Sequence, residues 1–275
     1  MSTILDRIHL LYCGGDKDYD GILFSALSAM RRTKRPITVT VYTAALDHPL
    51  GRPVDEQKAN YLRALLERRD DGSTLALADM TSPLEKLLSA LTSVKDTEDP
   101  YALLPLLADV GKEEGRILYL DRSALFCGDA GRLFDCDLKG RALGGVRDLW
   151  GSFFCRTDYV NCGVLLIDLG EARKERFFAA ARRVLTEYRV HRPFADAVNY
   201  AGKPLCLLPE IYNEQFALRR DTVVRHYCAG LRLFPYPHRS DGTPENGYCM
   251  SDREYRLFKR VYEEYLLQRE GRKAR

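Results

Sequence analysis

The first 120 residues alternate between short apolar runs and segments with helical spacing, and this alternation constrains the fold more than any other feature. Ile8 to Cys13 is an apolar run that ends in two glycines, and apolar residues then recur at helical spacing from Gly21 to Met30. A β-branched run from Thr38 to Tyr42 predicts the next strand, and helical spacing returns from Glu56 to Arg68. Such alternation indicates βαβ units around a mostly parallel sheet, an α/β fold.

The same patterns continue along the chain, less regularly after Asp121. Further strands are predicted at Thr74–Ala78, Ile117–Leu120, Ala142–Val146 and Gly163–Ile167. Helices are predicted at Tyr101–Asp109 and Glu171–Tyr188. We therefore expect residues 1–250 to form a single domain, with residues 251–275 as a separate C-terminal helix and basic tail.

The C-terminal helix is predicted from a capping box in which Ser251 and Glu254 satisfy each other's free backbone N–H groups. Beyond the cap, large apolar and tyrosine side chains recur at threes and fours, forming a stripe of Tyr255, Phe258, Val261, Tyr262, Tyr265 and Leu266. The stripe favours packing of this helix on its own domain. A weak anchor on a membrane surface is the alternative.

The bulk composition excludes several functional classes. Lys plus Arg number 42 and Asp plus Glu 39, so the overall charge does not call for a nucleic-acid partner. The eight cysteines are scattered without a CxxC pair, which indicates reduced thiols and a cytoplasmic protein. No apolar run approaches the roughly 20 residues of a spanning helix, so we expect at most peripheral membrane contact.

Sequence signatures of common enzyme classes are also absent. The chain contains no GxSxG, HExxH, GxxxxGK[ST] or GxGxxG segment, so it lacks the minimal parts of a serine hydrolase, zinc protease, P-loop enzyme or dinucleotide-binding enzyme. The oligomeric state is not predicted by any of these patterns.

Two strand ends carry candidate binding residues. Gly14, Gly15 and Asp16 follow the first strand, and Asp121 follows the apolar run at Ile117–Leu120. Open α/β sheets bind ligands at the carboxyl ends of their strands, and small residues there let a planar ring approach the backbone. A ligand site is therefore predicted at this edge.

Four segments occur along the chain in this order: IHLLYCGGDKDYDGILFSALSAM, RILYLDRSALFCGDAGRLFDCDL, DYVNCGVLLIDL and RHYCAGL. Together they resemble glycosyltransferase family 8, the family of glycogenin and of bacterial lipopolysaccharide galactosyl- and glucosyltransferases. The resemblance implies a GT-A fold, in which a nucleotide-binding sheet continues into a smaller acceptor-side region. It also implies transfer of a hexose from a UDP-sugar, with retention of anomeric configuration, to an acceptor that could be a saccharide, a lipid-linked glycan or a protein.

The same resemblance implies roles for individual residues. Gly15, Asp16 and Tyr19 would lie against the nucleotide. Asp121 and His226 would bind Mn²⁺ or Mg²⁺, and Arg232 would reach the diphosphate. The residues implied beside the donor sugar and the reacting centre are Asn161, Asp196 and Asn199.

Several positions depart from the family pattern. Ser123 stands where the family has the second carboxylate of its metal motif, and Leu103 replaces an arginine. Phe194 and Ala195 replace an Asp-Gln pair. A hydroxyl is a poorer ligand for a hard divalent cation than a carboxylate, so metal binding is expected to be weakened.

Three interpretations of the altered site stay open. The protein could be a transferase with weak metal dependence. It could bind without metal, with Arg122 and Arg232 supplying the positive charge, since guanidinium pairs bidentately with phosphate. It could also keep the fold as a nucleotide-sugar-binding or scaffold protein without turnover.

Overall fold

Nine strands form two sheets in the part of the chain that this computed structural model describes, namely residues 7–48, 51–91, 99–228, 230, 231, 233 and 249–273. They are β1 (Ile8–Cys13), β2 (Ile37–Thr43), β3 (Thr74–Asp79), β4 (Arg116–Leu120), β5 (Ala124–Phe126), β6 (Leu143–Arg147), β7 (Val160–Asp168), β8 (Cys206–Leu208) and β9 (Val224–His226). All six strands predicted from the sequence are present. The three short strands β5, β8 and β9 were not predicted, because three residues are too few to show a periodicity.

The central sheet has seven strands in the order β3-β2-β1-β4-β7-β6-β8. Strands β3, β2, β1 and β4 are parallel to one another. Strand β7 runs antiparallel to both β4 and β6, and β8 is parallel to β6. The predicted mostly parallel α/β sheet is therefore confirmed. Strands β1 and β4 are buried along nearly their whole length, as expected for strands covered on both faces.

Helices and short 3₁₀ segments connect the strands. The α-helices are α1 (Tyr19–Arg32), α2 (Glu56–Glu67), α3 (Thr81–Ala90), α4 (Gly131–Phe134), α5 (Leu149–Phe154), α6 (Leu169–Lys174), α7 (Phe177–Glu187), α8 (Pro193–Asn199) and α9 (Asp252–Lys273). The helix predicted at Tyr101–Asp109 is a 3₁₀ helix, Pro100–Leu107, that contains Pro105. A proline inside a helix removes a backbone donor and clashes with the preceding turn, which disfavours a regular α-helix here.

The prediction of a single helix at Glu171–Tyr188 is wrong in one respect. The segment forms two helices, α6 and α7, separated at Arg176, whose φ of 53° is left-handed. A residue with positive φ breaks the i to i+4 hydrogen-bond pattern, and hydrophobic periodicity alone does not reveal it.

Helix α9 begins as the sequence predicts. The backbone N–H and hydroxyl of Ser251 donate to the Glu254 carboxylate at 2.8 and 2.7 Å. The apolar stripe packs on α1, with the Tyr265 and Phe24 ring centroids 5.8 Å apart. The stripe is therefore buried against the domain, and the end of the basic tail lies outside the described residues. Within the described chain, no helix combines the length and apolar character needed to cross a membrane.

Candidate functional site

A cleft of about 570 Å³ opens at the carboxyl ends of β1 and β4. Four of the predicted site residues line it: Asp121, Arg122, Asn161 and His226. The other predicted site residues that the structure describes lie outside its lining, and they are Gly15, Asp16, Tyr19, Asp196 and Asn199. Arg232 lies outside the described residues.

Asp121 and His226 are brought together by the small second sheet. Strand β5, which follows Asp121, pairs antiparallel with β9 so that Ala124 lies opposite His226. The imidazole Nε2 then lies 4.0 Å from the Asp121 Oδ1. A glycine neighbour makes room for the ring, because a Cβ on Gly163 would lie 2.0 Å from the His226 Cε1. Two residues far apart in sequence thus face each other.

Asn213 determines which nitrogen of the His226 ring carries the proton. The Asn213 amide nitrogen donates to the Asn161 Oδ1 at 3.0 Å, so the Asn213 Oδ1 is the atom that faces the His226 Nδ1, at 3.1 Å. This hydrogen-bond network assigns the proton to Nδ1 and leaves the Nε2 lone pair directed toward Asp121. Burial lowers the pKa of His226, against the opposing effect of Asp121, and keeps the ring neutral at neutral pH.

Ser123 holds Asp121 in place and does not line the cleft. Its backbone N–H and its hydroxyl donate to the Asp121 Oδ1 at 2.8 and 2.5 Å. The hydroxyl also lies 2.9 Å from the backbone carbonyl of Tyr227, and the serine is 3% exposed. Burial raises the pKa of Asp121, but the charge of His226 when its ring is protonated, the Arg122 guanidinium and the hydrogen bonds from Ser123 outweigh it, so the pKa is lowered. The hydroxyl therefore stabilises an ionised carboxylate.

The Asp121 and His226 pair fits a divalent cation as two of its ligands. With bonds of about 2.1 Å, two ligands of an octahedral ion lie about 3 Å apart when adjacent and about 4.2 Å apart when opposite. The observed 4.0 Å falls between these limits. Imidazole favours Mn²⁺ over Mg²⁺. No cluster of three or more His, Cys, Asp or Glu able to hold a metal occurs in the described chain, so substrate oxygens or water would complete the shell.

Arg122 points into the cleft, as the metal-free interpretation requires. Its side chain is 44% exposed, and its Nη1 lies 3.3 Å from the Oδ1 of Asp18, which is almost fully buried. The other oxygen of Asp18 accepts from the backbone N–H of Gly15 at 2.9 Å. Burial raises the pKa of Asp18 even though Arg122 and the Gly15 N–H favour its ionised form. Part of the Arg122 charge is therefore already engaged by Asp18.

The charges that line the cleft do not favour an anion by themselves. Four carboxylates and three guanidinium groups line it among the described residues: Asp18, Asp99, Asp121, Asp148, Arg122, Arg192 and Arg225. Arg225 is also committed, because its Nε lies 2.7 Å from the buried Glu254. A diphosphate entering this cleft would benefit from an additional cation.

The nucleotide-side residues predicted from the sequence differ in their surroundings. Gly15 packs tightly, since a Cβ there would lie 2.5 Å from the ring of Tyr101, which lines the cleft. Asp16 pairs with the Lys58 ammonium at 2.6 Å. The buried Tyr19 hydroxyl donates to the backbone carbonyl of Lys58. Asp16 and Tyr19 thus contact α2 instead of the cleft.

Asp196 and Asn199 are engaged in structural hydrogen bonds. The Asp196 Oδ1 accepts from the Tyr159 hydroxyl at 2.6 Å, and its Oδ2 accepts from the backbone N–H groups of His191 and Arg192 at 3.0 and 2.9 Å. The Asn199 side chain bonds the β7 backbone at 2.8 and 3.0 Å. Both are buried and hydrogen-bonded within the fold, and their place beside the donor sugar stays a prediction.

Asp148 is a cleft residue that the sequence reasoning missed. Its Oδ2 accepts from the Asn161 amide at 2.8 Å, and its Oδ1 lies 3.6 Å from the Arg192 guanidinium. The signal was present in the sequence, because Asp148 directly follows β6 as Asp121 follows β4. Through Asn161 and Asn213, it joins one polar network that reaches His226.

Comparison with known proteins identifies solved structures that share this fold. No family model matches the chain. The structure superposes on the galactosyltransferase LgtC, solved with donor and acceptor sugar analogues, with a TM-score of 0.64 and 17% identity over 94% of this chain and 96% of LgtC. The chain has a GT-A fold. The fold that the sequence resemblance implies is thereby confirmed.

Two streptococcal proteins are similar to the chain over part of their length, one in structure and one in sequence. The glycosyltransferase GlyE of Streptococcus pneumoniae TIGR4 superposes with a TM-score of 0.63 and 16% identity, over 96% of this chain and 63% of GlyE. The glycosyltransferase GlyF of Streptococcus pneumoniae serotype 4 is 37% identical over 59 residues, which are 22% of this chain and 15% of GlyF. The chain therefore matches only a small portion of this curated relative.

Proposed function

We propose that the chain is a glycosyltransferase that transfers a hexose from a UDP-sugar to an acceptor hydroxyl, with retention of configuration as the family 8 resemblance implies. The observation that carries the proposal is the pair formed by the ionised Asp121 and the neutral His226, whose Nε2 lone pair faces a cleft at the carboxyl end of β4. An open α/β sheet binds its ligands at this edge.

Asp121 and His226 would hold Mn²⁺, or Mg²⁺ more weakly, together with oxygens of the diphosphate. A bound cation neutralises the charge that develops on UDP as it leaves. The charges of the cleft favour such a cation, because the carboxylates that line the cleft offset the positive charge of its arginines. With Ser123 turned away from the cleft, Asp121 and His226 are the two protein ligands found among the described residues, so we expect weak metal affinity without substrate.

The neighbouring side chains would orient the donor. Arg122 lies where it can contact a phosphate oxygen while it remains beside Asp18. Asn161 and Asp148 form a polar wall of the same cleft, and carboxylate and amide groups are suited to sugar hydroxyls. In the reaction, the bond from the anomeric carbon to the diphosphate breaks and a bond to the acceptor oxygen forms, while the acceptor proton leaves to the diphosphate or to water.

A nucleotide-sugar-binding protein without turnover is the second candidate. The Asp196 carboxylate is fully engaged, and Phe194 and Ala195 line the cleft where the family has polar side chains. These observations favour binding without an efficient reacting centre. Metal-free binding through Arg122 remains the alternative mode for either candidate.

The test is calorimetric titration of UDP into the purified protein, once with Mn²⁺ and once with excess chelator. We expect binding with Mn²⁺ that Asp121→Ala and His226→Ala each weaken about tenfold or more, since each removes a metal ligand. The exposed Asp47→Ala is the control and should bind as the wild type does. If UDP bound with equal affinity in Mn²⁺ and in chelator, and this binding were lost in Arg122→Ala, the metal-free mode would be supported instead.

Turnover is measured separately, by UDP release from UDP-glucose and UDP-galactose. Release that requires Mn²⁺ and disappears in Asp121→Ala supports the transferase. Tight UDP binding without release of UDP from either donor would favour the binding protein. Absence of UDP binding with and without metal would overturn both candidates.

A further inference from the structure

Helix α5, at the mouth of the cleft, presents its apolar side chains to solvent. We name as the α5 patch the residues Leu149, Trp150, Phe153 and Phe154, which are 46, 63, 80 and 71% exposed. Their rings contact one another, with Trp150 and Phe154 stacked at a centroid distance of 6.1 Å and Phe153 edge-on to Phe154 at 4.9 Å. Clustered exposed apolar side chains of this kind mark interaction surfaces.

The fold does not account for this exposure. In α5 only Gly151 is buried, and a Cβ there would lie 2.4 Å from the Tyr159 ring, so the helix turns its glycine inward and its large residues outward. The contrast is α9, whose apolar stripe is covered by α1. Phe216, 56% exposed, extends the patch, because it lines the cleft with Trp150 and a small groove with Leu149.

A sugar in the cleft would cover only part of the patch. Trp150 is the one α5 residue among the described residues that line the cleft. Leu149, Phe153 and Phe154 lie beyond that lining, and the two phenylalanines are the most exposed members. An occupant that covers all four must be broad and apolar.

The charges beside the patch favour an occupant that carries phosphate. Arg147 lies two residues before α5, is exposed, and lines the small groove that Leu149 and Phe216 also line. It forms no ion pair with a carboxylate among the residues that the structure describes. Arg156 and Arg219 are also exposed at the patch, but both are paired: Arg156 with the exposed Asp158, and Arg219 with the exposed Glu210 and the buried Glu214. The unpaired charge at the patch is therefore that of Arg147. Guanidinium groups bind phosphate bidentately.

We propose that the α5 patch docks the protein on the surface of a bilayer that contains anionic phospholipid. The rings of Trp150, Phe153 and Phe154 would enter the boundary between headgroups and acyl chains, where amphipathic aromatic residues are favoured. Arg147 would contact lipid phosphates. Because Trp150 belongs to both the patch and the cleft, docking would set the cleft mouth at the membrane surface. If the function proposed above holds, the acceptor would be one presented there.

The chain carries its own reporter for this contact, since Trp150 is its single tryptophan. The full chain is mixed with vesicles of phosphatidylcholine alone or of phosphatidylcholine with phosphatidylglycerol, and Trp150 emission is recorded. We expect a blue shift with the anionic vesicles, and quenching when the vesicle lipids carry brominated acyl chains. Sedimentation with the same vesicles gives the partition coefficient.

Variants distinguish vesicle binding through the α5 patch from nonspecific binding by other apolar side chains. Replacing Phe153→Ser and Phe154→Ser together should lower the partition coefficient by about a hundredfold, since each buried phenyl ring contributes about a factor of ten. Arg147→Ser should lower binding to anionic vesicles about fivefold. Leu267→Ser removes an apolar residue that is 69% exposed on α9 and should bind as wild type does. Circular dichroism and melting temperature verify that each variant folds.

Several results would overturn the proposal. These are the absence of a shift and of quenching with anionic vesicles, a loss of binding in Leu267→Ser equal to that in the double variant, and a patch-dependent dimer without vesicle binding. A Trp150 shift produced by free saccharides but not by vesicles would assign the patch to the acceptor instead. UDP titration of the double variant keeps the two proposals distinct, because neither phenylalanine lines the cleft.

Discussion

The buried ion pair between Arg225 and Glu254 offers a quantitative test of how α9 supports the site. The two side chains are 7 and 6% exposed, and the Arg225 Nε lies 2.7 Å from the Glu254 Oε1. Arg225 precedes His226 in β9 and donates to the backbone carbonyl of His226 at 2.7 Å. Loss of the pair should therefore lower the stability of the fold and also disturb the cleft at His226.

Glu254→Gln keeps the shape of the side chain and removes its charge. An uncompensated buried partner costs about 3–5 kcal/mol. At about 2–4 °C per kcal/mol for a chain of this size, the melting temperature should fall by roughly 6–20 °C. The measurement is differential scanning calorimetry, with urea unfolding as a second estimate of the free energy of unfolding.

The same helix supplies a matched control. Glu264 pairs with Arg31 at 2.6 Å, but those side chains are 27 and 42% exposed. An exposed pair contributes about 1 kcal/mol or less, so Glu264→Gln should lower the melting temperature by no more than about 4 °C. If both variants melt within that margin of the wild type, the reasoning from burial is refuted.

Three further predictions concern the same residues. Gly163→Ala should displace the His226 imidazole, destabilise the fold by about 1–3 kcal/mol and weaken Mn²⁺-dependent UDP binding in calorimetry, while titrations in chelator stay unchanged. Ser123→Asp should not tighten Mn²⁺ binding, because the new carboxylate would be buried against Asp121 and a backbone carbonyl; stronger binding of Mn²⁺ by this variant would contradict the geometry. The pKa of Glu254 is lowered, because hydrogen bonds from Arg225 and Ser251 outweigh the effect of burial. The stability that Glu254 contributes should therefore be present above the pKa of the unfolded chain, about 4.3, and be lost as the pH falls through the lower pKa of the folded state. Urea unfolding from pH 6 to about pH 3 should therefore be flatter for Glu254→Gln than for the wild type, and parallel curves would count against the pair.

Much of the fold follows from local patterns. The bounds of β1 and the start of α9 agree with the apolar run and the capping box, because periodicity and capping involve only residues within a turn or two. The helix predicted across Arg176 failed, since a single left-handed residue interrupts it without changing the apolar spacing.

Site residues were predictable to a lesser degree. The place of Asp121 after a buried strand follows from the sequence alone. Its distance from His226 does not, because it depends on the pairing of β5 with β9, two strands too short to be recognised. Asp196 and Asn199 have the residue types expected near a reacting centre, yet packing turns both toward backbone partners.

The sequence by itself determined the six longer strands, the α/β class and the edge of the sheet at which the cleft opens, since these properties depend on hydrophobic period and strand direction. Only the tertiary structure decided which polar atoms face the cleft, which tautomer His226 adopts, and that α9 is covered while α5 is exposed. The physical reason is that side-chain partners are set by contacts between residues distant in the chain, whereas hydrophobic period reports only that a face is apolar and not what covers it.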